Sequence, residues 1–454
     1  MTGSRTAAED EDELGRWLRD VASRLRTLDP DDEDDSDLLP VLDIVGDARL
    51  VAIGESMHRV HEFLQLRDRL FRVLVRHAGF TALVLESGTP ETRTADAWIR
   101  RTEAGGPRVR EVLRTGITYG FGACQETLDL LTWMRERNVT GRGTVRLYGM
   151  DLPDSSASAL PGVLAALDVL DAANPEYARR ARETLLPRFG YLPEDRTGLA
   201  QAAPSIQSYL SLDPADRAAL TEGIDDLAWR LRALRPSAIS ALGGDDDARE
   251  RVEAALDDVG AAQAADAFLR AMTQAATRTW PPANIRDAWM ADAVDRVLDR
   301  EPRIVVAAAG GHVQRTPFSA PPFVPEPMTT LGGHLMERHG DDYVVIGTAF
   351  GGGEQWLHRP RPDDPPGRSR PFVAPLAPSA EGSVDAAIAR SGIGDALIDL
   401  RTTTPAVSAA LDDLSGSLNG DVLQPLPVRA AYDAIVYVDR VSPWHTWVDD
   451  RGIA

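Results

Sequence analysis

The sequence contains no lysine: all 49 residues of the lysine and arginine total are arginine. This absence excludes a lysine Schiff base and the lysine of a phosphate-binding P-loop. Cys124 is the only cysteine, so the chain can form no internal disulfide and no cysteine-rich metal site. A single cysteine also fits a reducing compartment. Together these absences favour a cytoplasmic protein and exclude several classes of enzyme.

The chain also lacks the marks of secreted, membrane-bound and nucleic-acid-binding proteins. Its N-terminus is polar and acidic, without the basic start and apolar stretch of a secretory signal. No apolar run approaches the roughly 20 residues of a membrane span. A net charge of −21 would repel nucleic acid and anionic membranes. We therefore expect neither as a partner, while the sequence indicates no particular oligomeric state.

Two common active-site motifs are missing as well. No GxSxG segment is present, which argues against a serine hydrolase of the usual α/β type. The glycines at 351–353 follow a predicted strand without forming GxGxxG, so they indicate a turn and no dinucleotide cofactor.

Short apolar runs alternate with helical patterns from Ala48 onward, which is typical of βαβ units. Between the first two runs, the apolar positions of 61–78 predict a crossover helix. The sequence therefore predicts an α/β protein with a mostly parallel central sheet flanked by helices. The predicted strands are 49–54, 80–86, 145–151, 303–309, 343–349, 396–400 and 434–439.

The same patterns predict how the chain is divided. Residues 1–47 should form an N-terminal helix over 13–28 and then a solvated acidic loop at 29–37. Residues 48–154 and 291–454 should be the two parts of an α/β catalytic domain. The stretch 155–290 is rich in Ala and Leu at helical spacing and predicts a helical insertion or lid. Proline-rich stretches at 317–327 and 360–378 predict ordered surface loops or a lid.

Several ionisable residues stand at or just after the ends of predicted strands. Ligands bind at the carboxyl edge of open α/β sheets, so these groups should converge on one rim. They are Glu55 and His58 after the first strand, Glu86 and Asp151 at the ends of the second and third, and His312 after the fourth.

Glu55 and His58 form the most informative pair. If a helix starts at Ser56, a spacing of three lets both side chains reach the same space. A carboxylate beside an imidazole holds one tautomer and raises the basicity of the other ring nitrogen, which predicts activation of water by His58. The alternative is that Glu55 caps a helix N-terminus and His58 is a partly buried structural histidine.

Glu86 closes an apolar run, where a carboxylate requires a partner. The candidates are His312 or one of four arginines, whose guanidinium groups could also bind a substrate oxyanion. For each arginine the alternative is a surface charge. We predict Arg286, Arg67 and Arg72, together with Asp151, as substrate-binding groups; the fourth arginine is Arg69.

His312 follows two glycines that allow close backbone approach and could expose amide donors, although a histidine bonded within a turn is the alternative. A zinc site made of His58, His61 and His312 with Glu86 is conceivable. No HExxH motif or cysteine spacing supports it, so we expect no metal and no other cofactor. His445 has no place at a strand end and is expected to be a structural or surface residue.

The sequence resembles the erythromycin esterases and the related proteins named for succinoglycan biosynthesis, over about residues 48–443. The segment 51–58 resembles the family's G-E-x-x-H block. The other blocks that carry the resemblance include Glu62–Arg72, Gly79–Glu86, Leu131–Asn138, Tyr148–Asp151 and Asn284–Ala291.

The resemblance implies a hydrolase without a serine nucleophile, acting on a small natural product. In such a hydrolase His58 would be the general base that activates water against a macrolactone-like ester, and Glu55 would orient it. Glu86, Arg286 and His312 would line the cleft, and the helical insertion would help to cover the substrate.

One block departs from the family. The family typically shows A-H-N-x-H after its fourth strand, whereas this chain has Ala309 in place of the first histidine and Gly310 in place of the asparagine. Two groups that could bind a carbonyl oxygen or protonate a leaving group are absent. Two alternatives follow: an elimination or cyclisation in natural-product tailoring with the same base, or an inactive binding protein that keeps the pocket.

Overall fold

The structure, a computed structural model, describes residues 7–101, 108–193, 202–274, 281–321, 324–357 and 371–447. No helix in these ranges is long and apolar enough to cross a membrane. The helices are α1 Ala7–Val21, α2 Pro40–Val45, α3 His61–His77, α4 Thr89–Arg100, α5 Val109–Gly116, α6 Gln125–Val139, α7 Pro153–Ser156, α8 Leu160–Ala173, α9 Pro175–Thr184, α10 Ala202–Leu210, α11 Pro214–Ala241, α12 Asp246–Met272, α13 Ala283–Leu298, α14 Gly310–Val313, α15 Leu331–His339, α16 Val384–Ser391, α17 Pro405–Asp412 and α18 Val428–Ala431. Short 3₁₀ turns occupy Leu186–Phe189 and Gly340–Asp342.

Eight strands form a central sheet in the order β1-β11-β14-β8-β2-β5-β3-β4. Strand β2 runs parallel to both β5 and β8, and β14 runs parallel to β8, whereas β11 is antiparallel to its neighbours β1 and β14. The strands are β1 Ser23–Arg24, β2 Leu50–Glu55, β3 Ala82–Gly88, β4 Arg146–Asp151, β5 Ile304–Ala309, β6 Phe318–Ala320, β7 Val324–Met328, β8 Tyr343–Phe350, β9 Glu354–Leu357, β10 Phe372–Pro375, β11 Ala396–Asp399, β12 Ser417–Asn419, β13 Val422–Gln424 and β14 Ala434–Val438.

The central strands are apolar along their whole length because both faces of the sheet are covered. Every residue of β2 is buried except Glu55 at its carboxyl end, and β5 likewise is buried up to Ala309. Continuous runs of this kind are typical of parallel strands packed between helices. Helix α3 follows β2 and buries Phe63, Leu70 and Leu74. The predicted α/β fold with a mostly parallel sheet is confirmed.

The predicted N-terminal helix over 13–28 was too long. The first helix ends at Val21, and the chain then pairs with β11 at Ser23 and Arg24. Leu25 is buried there, with its amide donating to the Asp395 carbonyl, so its place in the apolar pattern reflects this edge pairing and no further helical turn. Part of the first proline-rich stretch, expected to be an ordered surface loop or a lid, is an antiparallel hairpin of β6 and β7.

The second proline-rich stretch is only partly described. Residues 360–370 lie outside the described ranges, whereas 372–375 form β10, which pairs with β9.

The chain divides into two compact units. The first unit comprises Met1–Val84, Cys124–Leu130 and Val297–Thr446, and the second comprises Leu85–Ala123, Leu131–Arg296 and Trp447–Ala454. In the second unit, helices α8, α11 and α12 pack on one another around a core of buried leucine, valine and alanine side chains. The predicted boundaries 1–47, 48–154, 155–290 and 291–454 stay predictions.

Candidate active site

Glu55 and His58 lie together at the carboxyl end of β2 in the first unit. Nδ1 of His58 is 2.5 Å from Oε1 of Glu55, and the side chains are 37% and 19% exposed, respectively. A carboxylate can only accept a hydrogen bond from the ring, so Nδ1 carries the proton and Nε2 of the neutral imidazole is an acceptor. The pair therefore has the arrangement that a general base requires.

A loop positions this pair, so the helix start at Ser56 that would have brought both side chains together is not present, and α3 follows the predicted range 61–78. Helix α3 begins only at His61, and its N-cap, Val60, makes no side-chain capping bond. The Ser56 amide donates to Oγ1 of Thr348 at 2.8 Å, and the Ser56 carbonyl accepts from the Gly420 amide at 2.8 Å. The loop is thus held from β8 and from the β12–β13 turn, and Glu55 does not cap α3.

Arg59, which the sequence analysis did not single out, follows His58 with a left-handed backbone at φ +64°. Its guanidinium lies over the rings of Trp356 and Trp444, at 5.1 and 5.9 Å from their centroids. Burial lowers the pKa of Arg59, and the charge of Glu55 opposes that shift. Two aromatic rings thus hold a cation near Glu55. No sequence pattern links Arg59 to tryptophans so far along the chain.

Small residues surround the backbone next to Glu55. Ala309 of β5 is its direct partner in the parallel register. A Cβ added to Gly310 would stand 3.1 Å from the Tyr432 hydroxyl and 3.4 Å from the Glu55 carbonyl oxygen. The tyrosine hydroxyl thus lies beside the position where the family has asparagine. His312 is half-buried on α14, the short helix that starts at Gly310.

The predicted substrate-binding residues Arg67 and Arg72 both lie on α3. Nε of Arg67 donates to Oδ1 of Asp68 at 2.9 Å. Burial lowers the pKa of Arg67, but the charges of Asp68 and Glu55 outweigh burial, so the pKa lies above its ordinary value. Arg72 is buried and donates to the Pro30 carbonyl at 3.0 Å and to Asp31 at 2.6 Å. Arg72 therefore binds the N-terminal loop, and its role with substrate stays a prediction.

The acidic run 29–37 is less solvated than expected. Asp35 is buried and pairs with Arg76 at 2.5 Å and His77 at 2.9 Å. Asp37 accepts from the fully buried Arg69 at 2.6 Å. The expectation of a solvated loop therefore holds for only part of the run, because Arg69, Arg72 and Arg76 project from one face of α3 and pair with its carboxylates.

In the second unit, Arg286 joins the two predicted carboxylates. Its Nη2 is 2.7 Å from Oε1 of Glu86 and 2.6 Å from Oδ2 of Asp151, and its Nε donates to Oδ1 of Asp151 at 2.9 Å. Burial alone would lower the pKa of Arg286, but the adjacent charge of Asp151 raises it well above the ordinary value. Of the four arginines considered as partners of Glu86, Arg286 is thus the one that binds it.

The chain after β4 is strained next to this group. Asp154, Ser155 and Ser156 all have left-handed φ values, 52°, 55° and 63°. The Tyr119 amide donates to Oγ of Ser155 at 2.9 Å, and its hydroxyl lies 2.6 Å from Oγ of Ser156. Non-glycine residues in this region each store roughly 1–3 kcal/mol, so surrounding contacts must hold the turn.

Glu91 is one of the contacts that hold this turn. Its Oε1 accepts from the Asp154 amide at 2.7 Å, whereas its buried Oε2 has no hydrogen-bond partner among the described residues. Burial raises the pKa of Glu91 to about 8, despite the opposing hydrogen bond. The side chain is therefore a protonated acid at neutral pH.

The described structure thus gathers the predicted residues into two sets. Glu55, His58 and His312 belong to the first unit, and Glu86, Asp151 and Arg286 to the second. The convergence of both sets on one rim stays a prediction. His61, the remaining histidine of the conceivable zinc site, pairs with Glu126 at 2.6 Å. No sequence pattern pointed to Glu126, and its second partner His445 was expected to be a structural or surface residue.

An α/β protein with an imidazole–carboxylate pair after a parallel strand, and without a serine elbow, suits a hydrolase that activates water directly. The sequence model of the family described as erythromycin esterase matches residues 75–441. The chain therefore belongs to the erythromycin esterase family. Family and fold support a hydrolase of the esterase kind. The matched stretch begins after Glu55 and His58, so it does not itself assign them a role.

Curated relatives agree with this placement. The chain is 26% identical to an erythromycin esterase type II from Escherichia coli over 94% of this chain and 97% of the relative. It is 25% identical to an Escherichia coli erythromycin esterase type I, over 75% of this chain and 80% of the relative.

Solved structures share the fold at lower identity. A mutant of the erythromycin esterase EreC in its open conformation superposes with a TM-score of 0.75 at 21% identity, covering 94% of this chain and 99% of that one. A succinoglycan biosynthesis protein superposes with a TM-score of 0.74 at 16% identity, covering 98% and 100%. The resemblance seen in the sequence is confirmed.

Proposed function

We propose that the chain is an esterase in which His58 activates water against an ester of a small natural product. The observation that carries this proposal is the 2.5 Å contact between Nδ1 of His58 and the Glu55 carboxylate. It leaves Nε2 as the proton acceptor on a side chain that solvent still reaches. Membership of the erythromycin esterase family supports the reaction class.

In the proposed reaction, Nε2 of His58 takes a proton from water as the oxygen attacks the ester carbonyl. Glu55 stabilises the imidazolium that forms, because the ionised carboxylate accepts the Nδ1 hydrogen bond. The tetrahedral intermediate then expels the alkoxide, which takes the proton back from Nε2. Acid and alcohol result, and the base returns to its starting state without a cofactor.

The substrate is proposed to be a macrolactone or a related ester of a natural product. Erythromycin gives the curated relatives their name and is the first compound to test, followed by simpler lactones and linear esters.

The test is replacement of His58 by glutamine, assayed on the esters that the unaltered protein hydrolyses. We expect kcat to fall by about 10²–10⁴-fold. His334→Gln is the matched control, because His334 is a half-buried histidine of α15 in the same unit and should leave kcat unchanged. A His58→Gln variant that keeps most of the activity would overturn the assignment.

Labelled water separates hydrolysis from the two alternatives. Hydrolysis places one oxygen from H₂¹⁸O in the acid product, so the summed product mass exceeds that of the substrate by one water. An unlabelled product that has lost a group would instead indicate elimination or cyclisation by the same base. A compound that raises the melting temperature and never turns over would indicate an inactive binding protein.

A further inference from the structure

Two histidines and one glutamate meet in the first unit, away from the Glu55 contact. Nδ1 of His61 lies 2.6 Å from Oε1 of Glu126, and Nδ1 of His445 lies 3.0 Å from the same oxygen. One potential ligand atom from each side chain falls within 4.8 Å of the others. Glu126 is nearly buried, His61 is 21% exposed and His445 is 65% exposed, so the group is open to solvent on the His445 side.

The three residues come from separate segments that the backbone fastens together. The His61 amide donates to the Ser442 carbonyl at 2.9 Å, and the Gln125 amide donates to the His445 carbonyl at 2.9 Å. The His445 amide in turn donates to Oε1 of Glu126 at 3.0 Å. The main chain therefore positions the side chains before any ligand arrives, which lowers the ordering cost of binding.

The charges of the group suit a cation. Burial would raise the pKa of Glu126, but hydrogen bonds from the His61 ring and the His445 amide lower it to about 2. The carboxylate is therefore ionised throughout the physiological range. The hydrogen bond that the His61 ring donates to Glu126 raises the pKa of His61, so a metal ion would have to displace a proton there, and binding should weaken in acid.

We infer that His61, Glu126 and His445 form a binding site for a divalent transition-metal ion such as Zn²⁺. Two imidazoles and a carboxylate are ligands that suit zinc and its neighbours, whereas Ca²⁺ and Mg²⁺ prefer oxygen alone. Three protein ligands leave one coordination position for water. This inference is independent of the proposed function, since the ion takes no part in the chemistry at His58.

Metal binding requires a small adjustment of the side chains. Tetrahedral zinc with ligands at about 2.0–2.1 Å needs its ligand atoms about 3.3 Å apart, farther than the present contact of His61 with Glu126. The His61 ring, which is 21% exposed, would have to move away from Oε1 of Glu126, and the mostly exposed His445 can turn to face the ion. The ion would then tie the C-terminal segment at Ser442–Thr446 to the start of α3 and to the segment of Glu126.

The test uses the full chain without an affinity tag, stripped with chelator and titrated with ZnCl₂ by calorimetry and with CoCl₂ by visible absorption. We expect one equivalent to bind at pH 7.5, with cobalt bands typical of a low-coordinate nitrogen and oxygen site. The melting temperature should rise with added zinc, because the ion binds only the folded arrangement. Binding should weaken at pH 5.5.

Two variants and a matched control assign the residues. His445→Ala removes an exposed ligand and should weaken zinc binding at least about tenfold. Glu126→Gln removes the negative charge of the carboxylate ligand and should also weaken zinc binding. His77→Ala is the control, because His77 pairs with a single carboxylate, Asp35, and should leave binding unchanged.

Two outcomes would overturn the inference. The first is a dissociation constant for zinc above about 1 mM in the unaltered chain, which would show that the three side chains only hydrogen-bond to one another. The second is tight binding that both His445→Ala and Glu126→Gln leave unchanged, which would place the ion elsewhere.

Discussion

The two units hold their ionisable groups in contrasting ways. In the first unit, Glu55 faces an imidazole that is 37% exposed. In the second unit, Arg286 makes hydrogen bonds to two carboxylates, and the side chain of Asp151 is fully buried. One group contains a base that can gain and lose a proton, and the other contains a guanidinium that keeps its charge.

This contrast separates two uses of charge. A hydrogen bond to a partly exposed histidine contributes little to the free energy of unfolding, yet it fixes the tautomer on which the proposed proton transfer depends. A buried cation between two carboxylates contributes little to proton transfer, yet the fold depends on it once both anions are desolvated. Substitutions in the two groups should therefore affect different measurements.

The largest effect is expected from Arg286→Met, which leaves Glu86 and Asp151 without their cation. The free energy of unfolding should fall by about 3–5 kcal/mol in urea denaturation at pH 7. Arg182→Met is the matched control, because Arg182 pairs with exposed Asp168 and Asp171 and its loss should change stability by less than about 1 kcal/mol. If both variants lose the same small amount, Arg286 is not required to balance these carboxylates.

Glu55→Gln should affect activity instead of stability. The amide keeps the size of the side chain but cannot stabilise the imidazolium, so we expect kcat on an ester substrate to fall by about 10²-fold or more. The melting temperature should change little. Glu337→Gln, an exposed position of α15, provides the control. An unchanged kcat would show that His58 works without its carboxylate.

Glu91→Gln should alter how stability depends on pH. Burial raises the pKa of Glu91 from 4.5 to about 8, so between these values the folded protein holds a proton that the unfolded chain has lost. Its contribution is complete below pH 4.5 and declines as pH rises to 8, by up to about 1.4 kcal/mol per pH unit.

The variant should therefore show a flatter fall in the free energy of unfolding between pH 5 and pH 8. Glu176→Gln, at a position that is 76% exposed, is the control and should keep the original slope. Equal slopes in all three proteins would mean that Glu91 is ionised in the folded state.

The smallest effect is expected beside Glu55, at a glycine of the first unit. Gly310→Ala places a methyl group 3.1 Å from the Tyr432 hydroxyl and should destabilise the protein by about 1 kcal/mol. Gly352→Ala is the control, since a Cβ there meets nothing within 4 Å. The penalty at Gly310 should shrink when Tyr432 is also replaced by phenylalanine. If it stays the same, the hydroxyl is not the obstacle.

The sequence predicted the sheet well because its strands are local apolar runs that differ clearly from the helical patterns between them. The pairing of Glu55 with His58 is local too, but the backbone conformation that produces it could not be derived. A spacing of three suggested a helical turn, whereas the chain makes a loop with Arg59 in a left-handed conformation. The left-handed backbone of Arg59 accompanies contacts with Trp356 and Trp444, which lie far along the chain. A single sequence does not reveal such contacts.

Long-range partners were harder to predict for the same reason. Four arginines could have paired with Glu86, and only the folded chain brings Arg286 to it from 200 positions away. Glu126 and His445 are separated by 319 positions and match no ligand motif. By contrast, the contacts of the acidic run were predictable, since Arg69, Arg72 and Arg76 follow helical spacing and are complementary in charge to it.

The alkylation rate of Cys124 can report how often the surrounding segment opens. Its thiol is buried, with Sγ 3.2 Å from Oγ1 of Thr127, and burial raises its pKa to about 12. Because the thiolate is the reactive form, alkylation has to wait until this stretch of chain separates from its surroundings. The chain has no second thiol to obscure the signal. The labelling rate therefore counts the openings of the segment that carries Glu126, without any introduced probe.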